Sequence, residues 1–154
     1  MPNFDKFPNL MEKIRSAAGF DITNPKECLA AVKEGGYNIQ YIQNPDKEVQ
    51  IVAVKQNGFN IVHIKNPDKE VQLAAVKQNG YSIRFIRNPD KEAQLAVIQQ
   101  NPFNICYIRD PDKEVQMAAI NKSEYDVEII LSCPDWEDLA EEIENNMIIK
   151  DIIE

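Results

Sequence analysis

Apolar and polar positions along the middle of the chain follow one pattern several times over. In residues 66–87 a polar start, Asn66-Pro67-Asp68-Lys69-Glu70, leads into Val71, Leu73, Ala74, Ala75 and Val76. The pattern returns to polar Lys77-Gln78-Asn79 and closes on Gly80-Tyr81-Ser82-Ile83-Arg84-Phe85-Ile86-Arg87. The same start stands at Asn44, at Asn88 and, with Asp for Asn, at Asp110, always at the same interval of twenty-two positions. A fixed period of this length marks a repeat array, in which each unit buries its apolar face only against its neighbours.

Apolar residues nearly surround the first segment of the unit, as on a helix covered from several sides. Asn44 before Pro45 reads as an N-cap and first helical residue, with Asp46 and Glu48 at the positive end of the helix dipole. Gly58 reads as the left-handed residue that ends this helix. In the second segment Asn60 reads as another N-cap, with counterparts Asn38, Ser82, Asn104 and Asp126. The three-residue spacing of Ile61 and Ile64, Ile83 and Ile86, and Ile105 and Ile108 favours a short 3₁₀-like helix over a strand.

The expected fold is therefore all-α, a right-handed α-solenoid of long-helix/short-helix repeats. One domain is expected over 1–154, with a helical N-terminal cap (1–21), five repeats each twenty to twenty-two long (22–131) and an acidic C-terminal cap (132–154). Asn24 precedes Asn44 by only twenty positions, so the first repeat is expected to be trimmed by two at its helix start. Pro102 replaces the glycine of the other repeats and is expected to change the local curvature. The rows Ile51/Leu73/Leu95/Met117, Val54/Val76/Ile98/Ile120 and Ala53/Ala75/Val97/Ala119 are expected to form the core.

The chain is 44% hydrophobic and 27% charged, ordinary for a folded soluble protein. Its net charge of −8 divides unevenly: residues 1–122 hold 16 basic against 14 acidic residues, and 123–154 hold one against 11. With an isoelectric point near 4.7, direct binding of nucleic acid, which rests on phosphate neutralisation, is not expected. No run is apolar enough for a membrane span and no signal peptide is evident, so no membrane contact and a cytoplasmic location are expected. Cys28, Cys106 and Cys133 lack metal-site spacing and are expected to be reduced thiols.

Catalytic chemistry finds little support. His63 is the single histidine and shares a row with Tyr41, Phe85, Tyr107 and Ile129, and neither a glycine-rich phosphate loop nor a metal motif is present. No enzyme activity, cofactor or metal is expected. Binding is better supported, because positions that drift between repeats are free of packing constraint. Lys65, Arg87 and Arg109 precede successive helix starts, Lys55 and Lys77 end successive long helices, and Arg84 and His63 vary within the short helix. Together they are the candidate face for a protein partner; the sequence leaves homo-oligomerisation open.

The unit N-P-D-K-E-V-Q-L-A-A-V-K-Q-N-G-Y, whole within residues 66–87, resembles the short helical repeats of an uncharacterised family of bacteria, large phages and giant viruses. The resemblance extends over about residues 24–131. Residues 101–116 are more distantly similar to leucine-rich variant repeats, in which an α-helix alternates with a 3₁₀ helix; the N-terminal cysteine group that holds an iron–sulfur cluster in some of those is absent here. The first resemblance implies a phage- or mobile-element-encoded protein, and with it an inhibitor of a bacterial host defence protein acting in the host cytoplasm. The alternative expectation is a nucleic-acid-associated protein, or a nucleic-acid mimic acting through its acidic C-terminal segment.

Overall fold

Four successive repeat units fold as a ten-residue α-helix followed by a six-residue 3₁₀ helix, and successive units stack side by side. The computed structural model describes residues 17–123. In order the elements are α1 (Pro25–Glu34), η1 (Gly36–Tyr41), α2 (Lys47–Gln56), η2 (Gly58–His63), α3 (Lys69–Gln78), η3 (Gly80–Phe85), α4 (Lys91–Gln100), η4 (Pro102–Tyr107) and α5 (Lys113–Ser123). Long helices pack on long helices and short on short, giving the two layers of an α-solenoid with no strand among the described residues. The expected caps lie outside the described residues, apart from 17–21.

The helix starts correct the sequence reading. The N-caps are Asp46, Asp68 and Asp90, and Asp68 Oδ1 accepts from the Val71 N–H at 3.0 Å, so each helix begins two positions after the expected cap at the asparagine. The preceding Asn-Pro step is a linker, pinned by a side chain from inside the helix. Gln50, Gln72 and Gln94 donate from Nε2 to the carbonyls of Pro45, Pro67 and Pro89 at 2.7, 2.9 and 2.9 Å. In the first repeat Asn24 is itself the cap and Pro25 the first helical residue. Pro25 is a full repeat before Lys47, so the expected trimming disappears: α1 is as long as α2, and Ile22 and Thr23 stand where later repeats have Asn-Pro.

The helix ends differ from expectation as well. Asn57, Asn79 and Asn101 close the long helices in extended conformation, at φ −151°, −153° and −154°. Their Oδ1 atoms then accept from the N–H of Phe59, Tyr81 and Phe103 at 3.0 Å, capping the short helices. The only positive-φ glycine among the described residues is Gly19, so Gly58 is not a left-handed stop. It is glycine because the next repeat comes too close: a Cβ there would lie 2.5 Å from the Ala75 carbonyl oxygen.

That close approach is held by one glutamine per repeat. Gln56 and Gln78 accept at Oε1 from the N–H of Gly36 and Gly58, at 2.7 and 2.6 Å. Gln56 and Gln100 donate from Nε2 to the carbonyls of Val32 and Val76, at 2.8 and 2.7 Å. Pro102 has no N–H to offer, and the residue in the glutamine's place one repeat on is Lys122, which has no acceptor. Proline thus appears where its glutamine partner is gone. Asn101 keeps the backbone conformation of Asn79, so the long helix closes here as it does before Gly80.

Nor are Asn38, Asn60 and Asn104 caps of the short helices. They point back and donate from Nδ2 to the carbonyls of Ala31, Ala53 and Val97, at 2.8, 2.9 and 3.2 Å, satisfying the last turn of the long helix. Ser82 takes this place in η3 and is too short for it; its Oγ is fully buried without a hydrogen-bond partner.

The core runs through Val54, Val76 and Ile98, through Ala53, Ala75 and Val97, and through Ile39, Ile61, Ile83 and Ile105 of the short helices, all buried. Of the rows expected in the core, Ile51, Leu73 and Leu95 are only half-buried and Met117 is exposed. They sit about 200° round the helix from the Ala53 row, at 3.6 residues per turn. Cys28 is buried and free, whereas Cys106 is disulfide-bonded, which corrects the expectation of a reduced thiol there; the expectation for Cys133 lies outside the described residues. No helix among the described residues is long and apolar enough to cross a membrane.

Candidate functional site

Charge is sorted between two edges of the solenoid. At the long-helix starts, Lys47 reaches across to Asp68 and Glu70 of the next repeat, at 3.1 and 2.5 Å. Lys69 repeats this with Asp90 and Glu92, and Lys91 with Asp112 and Glu114. The carboxylates hold the three lysine amino groups above their ordinary range. The Val71 N–H, and after it Lys47, holds the Asp68 carboxyl below its own. All these groups are exposed, and exposed pairs contribute little each. With two carboxylates to each lysine, this edge keeps a net negative charge.

The short-helix edge is built otherwise. Residues 36–43, 58–65, 80–87 and 102–109 contain no Asp or Glu at all, while they include Lys65, Arg84, Arg87 and Arg109. Among the described residues no ion pair joins these four cations to an acid. In a 3₁₀ helix side chains three apart share a side, and Ile61 with Ile64, Ile83 with Ile86 and Ile105 with Ile108 turn inward together, while the two residues inside each pair, Val62 and His63, Arg84 and Phe85, Cys106 and Tyr107, are exposed. Tyr81, Phe85 and Tyr107 are 48%, 43% and 41% exposed.

The outward rings pair across repeats. Phe59 meets Phe85 edge-on with centroids 5.8 Å apart, and Tyr81 meets Tyr107 at 5.3 Å. The Arg84 guanidinium lies 5.4 Å from the Phe85 centroid and 5.8 Å from that of Tyr107. Two hollows open here, one of about 300 Å³ between Ile64-Asn66 and Phe85-Asn88, and one of about 400 Å³ walled by Arg84, Arg87, Tyr107 and Arg109. They share Phe85, Ile86 and Arg87. The result is one furrow crossing three repeats.

Of the residues expected to form the face, Arg84, Arg87 and Arg109 line this furrow together. Lys65 continues their row one repeat earlier, and His63, exposed at the end of η2, holds the position of Phe85. Lys55 and Lys77 are exposed in the last turns of α2 and α3 and do not line it. The sequence reading does not pick out Phe59, Tyr81, Phe85 and Tyr107 as surface groups, because it selects the face by charge. The signal lies in the drift of one position from Tyr41 through His63 to Phe85 and Tyr107, whereas the buried rows keep to aliphatic residues.

The furrow offers planar cationic donors and aromatic faces, which suit recognition. Its walls hold neither a nucleophile nor a general base, and no His, Cys, Asp and Glu cluster suited to a metal occurs among the described residues.

The model of a family described as a domain of unknown function, DUF4116, matches residues 46–89, which span α2 to η3. No curated protein and no solved structure matches the chain.

Proposed function

We propose that this chain is a non-enzymatic helical-repeat module that grips a protein partner along its short-helix edge. The observation behind this reading is the acid-free furrow in which Arg84 lies beside Phe85 and Tyr107, with both rings exposed. Aromatic residues and arginine dominate the energetics of protein interfaces, and clustered at one place they form the kind of centre around which an interface is organised. From the resemblance of its repeat, the partner to seek first is a bacterial host defence protein, with the chain supplied by a phage or mobile element and acting in the host cytoplasm.

A second reading draws on the same groups, since arginine over an aromatic ring also forms a platform for unpaired bases. The chain's net charge of −8 opposes it, because affinity for nucleic acid grows with phosphate neutralisation. Affinity capture from host lysate separates the two. The full-length chain, a Phe85→Ser/Tyr107→Ser variant and a Lys55→Glu/Lys77→Glu variant serve as baits. The protein-binding reading expects capture to be lost with the first variant, kept with the second, and resistant to nuclease. Capture that disappears on nuclease treatment, or that falls about 1,000-fold between roughly 50 and 200 mM salt, belongs to the nucleic-acid reading.

A further inference from the structure

The geometry points to a defined kind of partner segment: an extended acidic peptide in polyproline II conformation, with a carboxylate at every third residue, lying along the furrow. This deepens the proposed function and rests on it. Lys65, Arg87 and Arg109 stand at the same position of three successive repeats, one full period apart. Packed helices lie about 8–10 Å apart, so the three cations advance by about that distance per repeat. A polyproline II chain has three residues per turn and rises about 3.1 Å per residue, which brings side chains i, i+3 and i+6 to one side at about 9 Å intervals. The two pitches coincide.

Charge and shape agree with that occupant. The two hollows follow one another along the stack, one on each side of Phe85, Ile86 and Arg87, so an occupant that enters both lies along the stack. Aromatic-lined grooves accept polyproline II segments because such chains are already extended and lose little freedom on binding. Arg87 and Arg109 border the same hollow, and guanidinium groups take carboxylates in bidentate fashion. No acid of residues 58–65, 80–87 or 102–109 opposes the incoming charge. Between the carboxylates, prolines or other apolar residues meet Phe85 and Tyr107.

The test uses the full-length chain and fluorescein-labelled (Glu-Pro-Pro)₄ in fluorescence anisotropy at about 150 mM salt. A control peptide of identical composition carries its four glutamates in one block. The proposal expects the periodic peptide to bind at least tenfold more tightly than the block. It further expects Arg87→Glu and Arg109→Glu each to weaken that binding at least tenfold, with Lys55→Glu leaving it unchanged. Circular dichroism confirms that the variants fold. Equal binding of both peptides, or tighter binding of an oligothymidylate of equal charge, overturns the proposal. So does self-association of the chain that Arg87→Glu abolishes, because the face then belongs to a second copy. If neither peptide binds while lysate capture still depends on Phe85 and Tyr107, the partner class falls and the binding face stands. Loss of both removes the face as well.

Discussion

The joints between repeats and the outer surface of the short helices are made from one and the same repeating unit, yet they behave as opposites. At the joints polar groups are paired with the next unit: Gly58 N–H with Gln78, Lys47 with Asp68 and Glu70. On the outer surface Lys65, Arg87 and Arg109 have no acidic partner among the described residues, and the position of His63 becomes Phe85 and then Tyr107. The difference teaches that constancy in this repeat follows cross-repeat bonding. A residue bonded to the next unit returns for as long as its partner does, and one that faces outward drifts. Pro102 with Lys122 shows the rule from the other side, since both ends of one joint change together.

Truncation of the core should widen the contrast most. Ile83→Ala, at a fully buried short-helix position, is expected to cost about 2–5 kcal/mol, and half-buried Leu73→Ala clearly less, by urea denaturation of each variant. Equal losses at the two sites would break the division between inner and outer rows. At the joint itself, Gly58→Ala drives a methyl group against the Ala75 carbonyl and should cost about 1–3 kcal/mol. The equivalent proline has no such constraint, so Pro102→Ala should change the melting temperature far less.

Ser82→Asn acts in the opposite direction. Asn60 and Asn104 reach the carbonyl seven residues back, and asparagine in η3 would do the same for Ala75, so a gain of about 1 kcal/mol is expected. An unchanged melting temperature would show that the buried Ser82 hydroxyl costs nothing.

The smallest effect belongs to the exposed ladder and is read through pH. Asp68 has a lowered pKa, so its contribution is complete above the unfolded value of about 3.9 and is lost as pH falls through its lower folded value. The lysines have raised pKa values, so theirs is complete below about 10.4 and is lost as pH rises through the higher folded values. Asp68→Ala should cost about 1 kcal/mol near neutrality, mostly as a lost helix cap, and the penalty should shrink in acid. A penalty that does not change between about pH 7 and pH 2 would mean that the carboxylate charge has no part in the cap.

How much of this is legible in the sequence follows the same division. Period and helix class are legible because they depend on apolar spacing, which a linear sequence displays directly. The helix start reads two positions early because Asn44-Pro45 has the composition of a cap, and only the bond from Gln50 to the Pro45 carbonyl shows the step to be a linker. Gly58 reads as a left-handed turn, since close approach by a later repeat leaves no mark on its neighbours in sequence. Arg87 and Arg109 stand out by their drift, and Lys55 is grouped with them because both ends of a repeat look alike in charge, although the structure places it away from the hollow that they line. The aromatic half of the furrow is hidden, for a phenylalanine that packs and one that stacks in the open are spelled the same.

The central claim, that the drifting surface does the binding while the constant joints hold the stack, meets its most direct test in one paired measurement. Partner capture is compared between an outer variant, Phe85→Ser/Arg87→Glu/Tyr107→Ser, and a joint-edge variant, Lys47→Met/Lys69→Met/Lys91→Met, both checked for folding by thermal melting. The outer variant should melt close to the wild type and lose the partner, and the joint-edge variant should retain it. Capture that survives the outer changes and fails with the lysine changes would contradict the account.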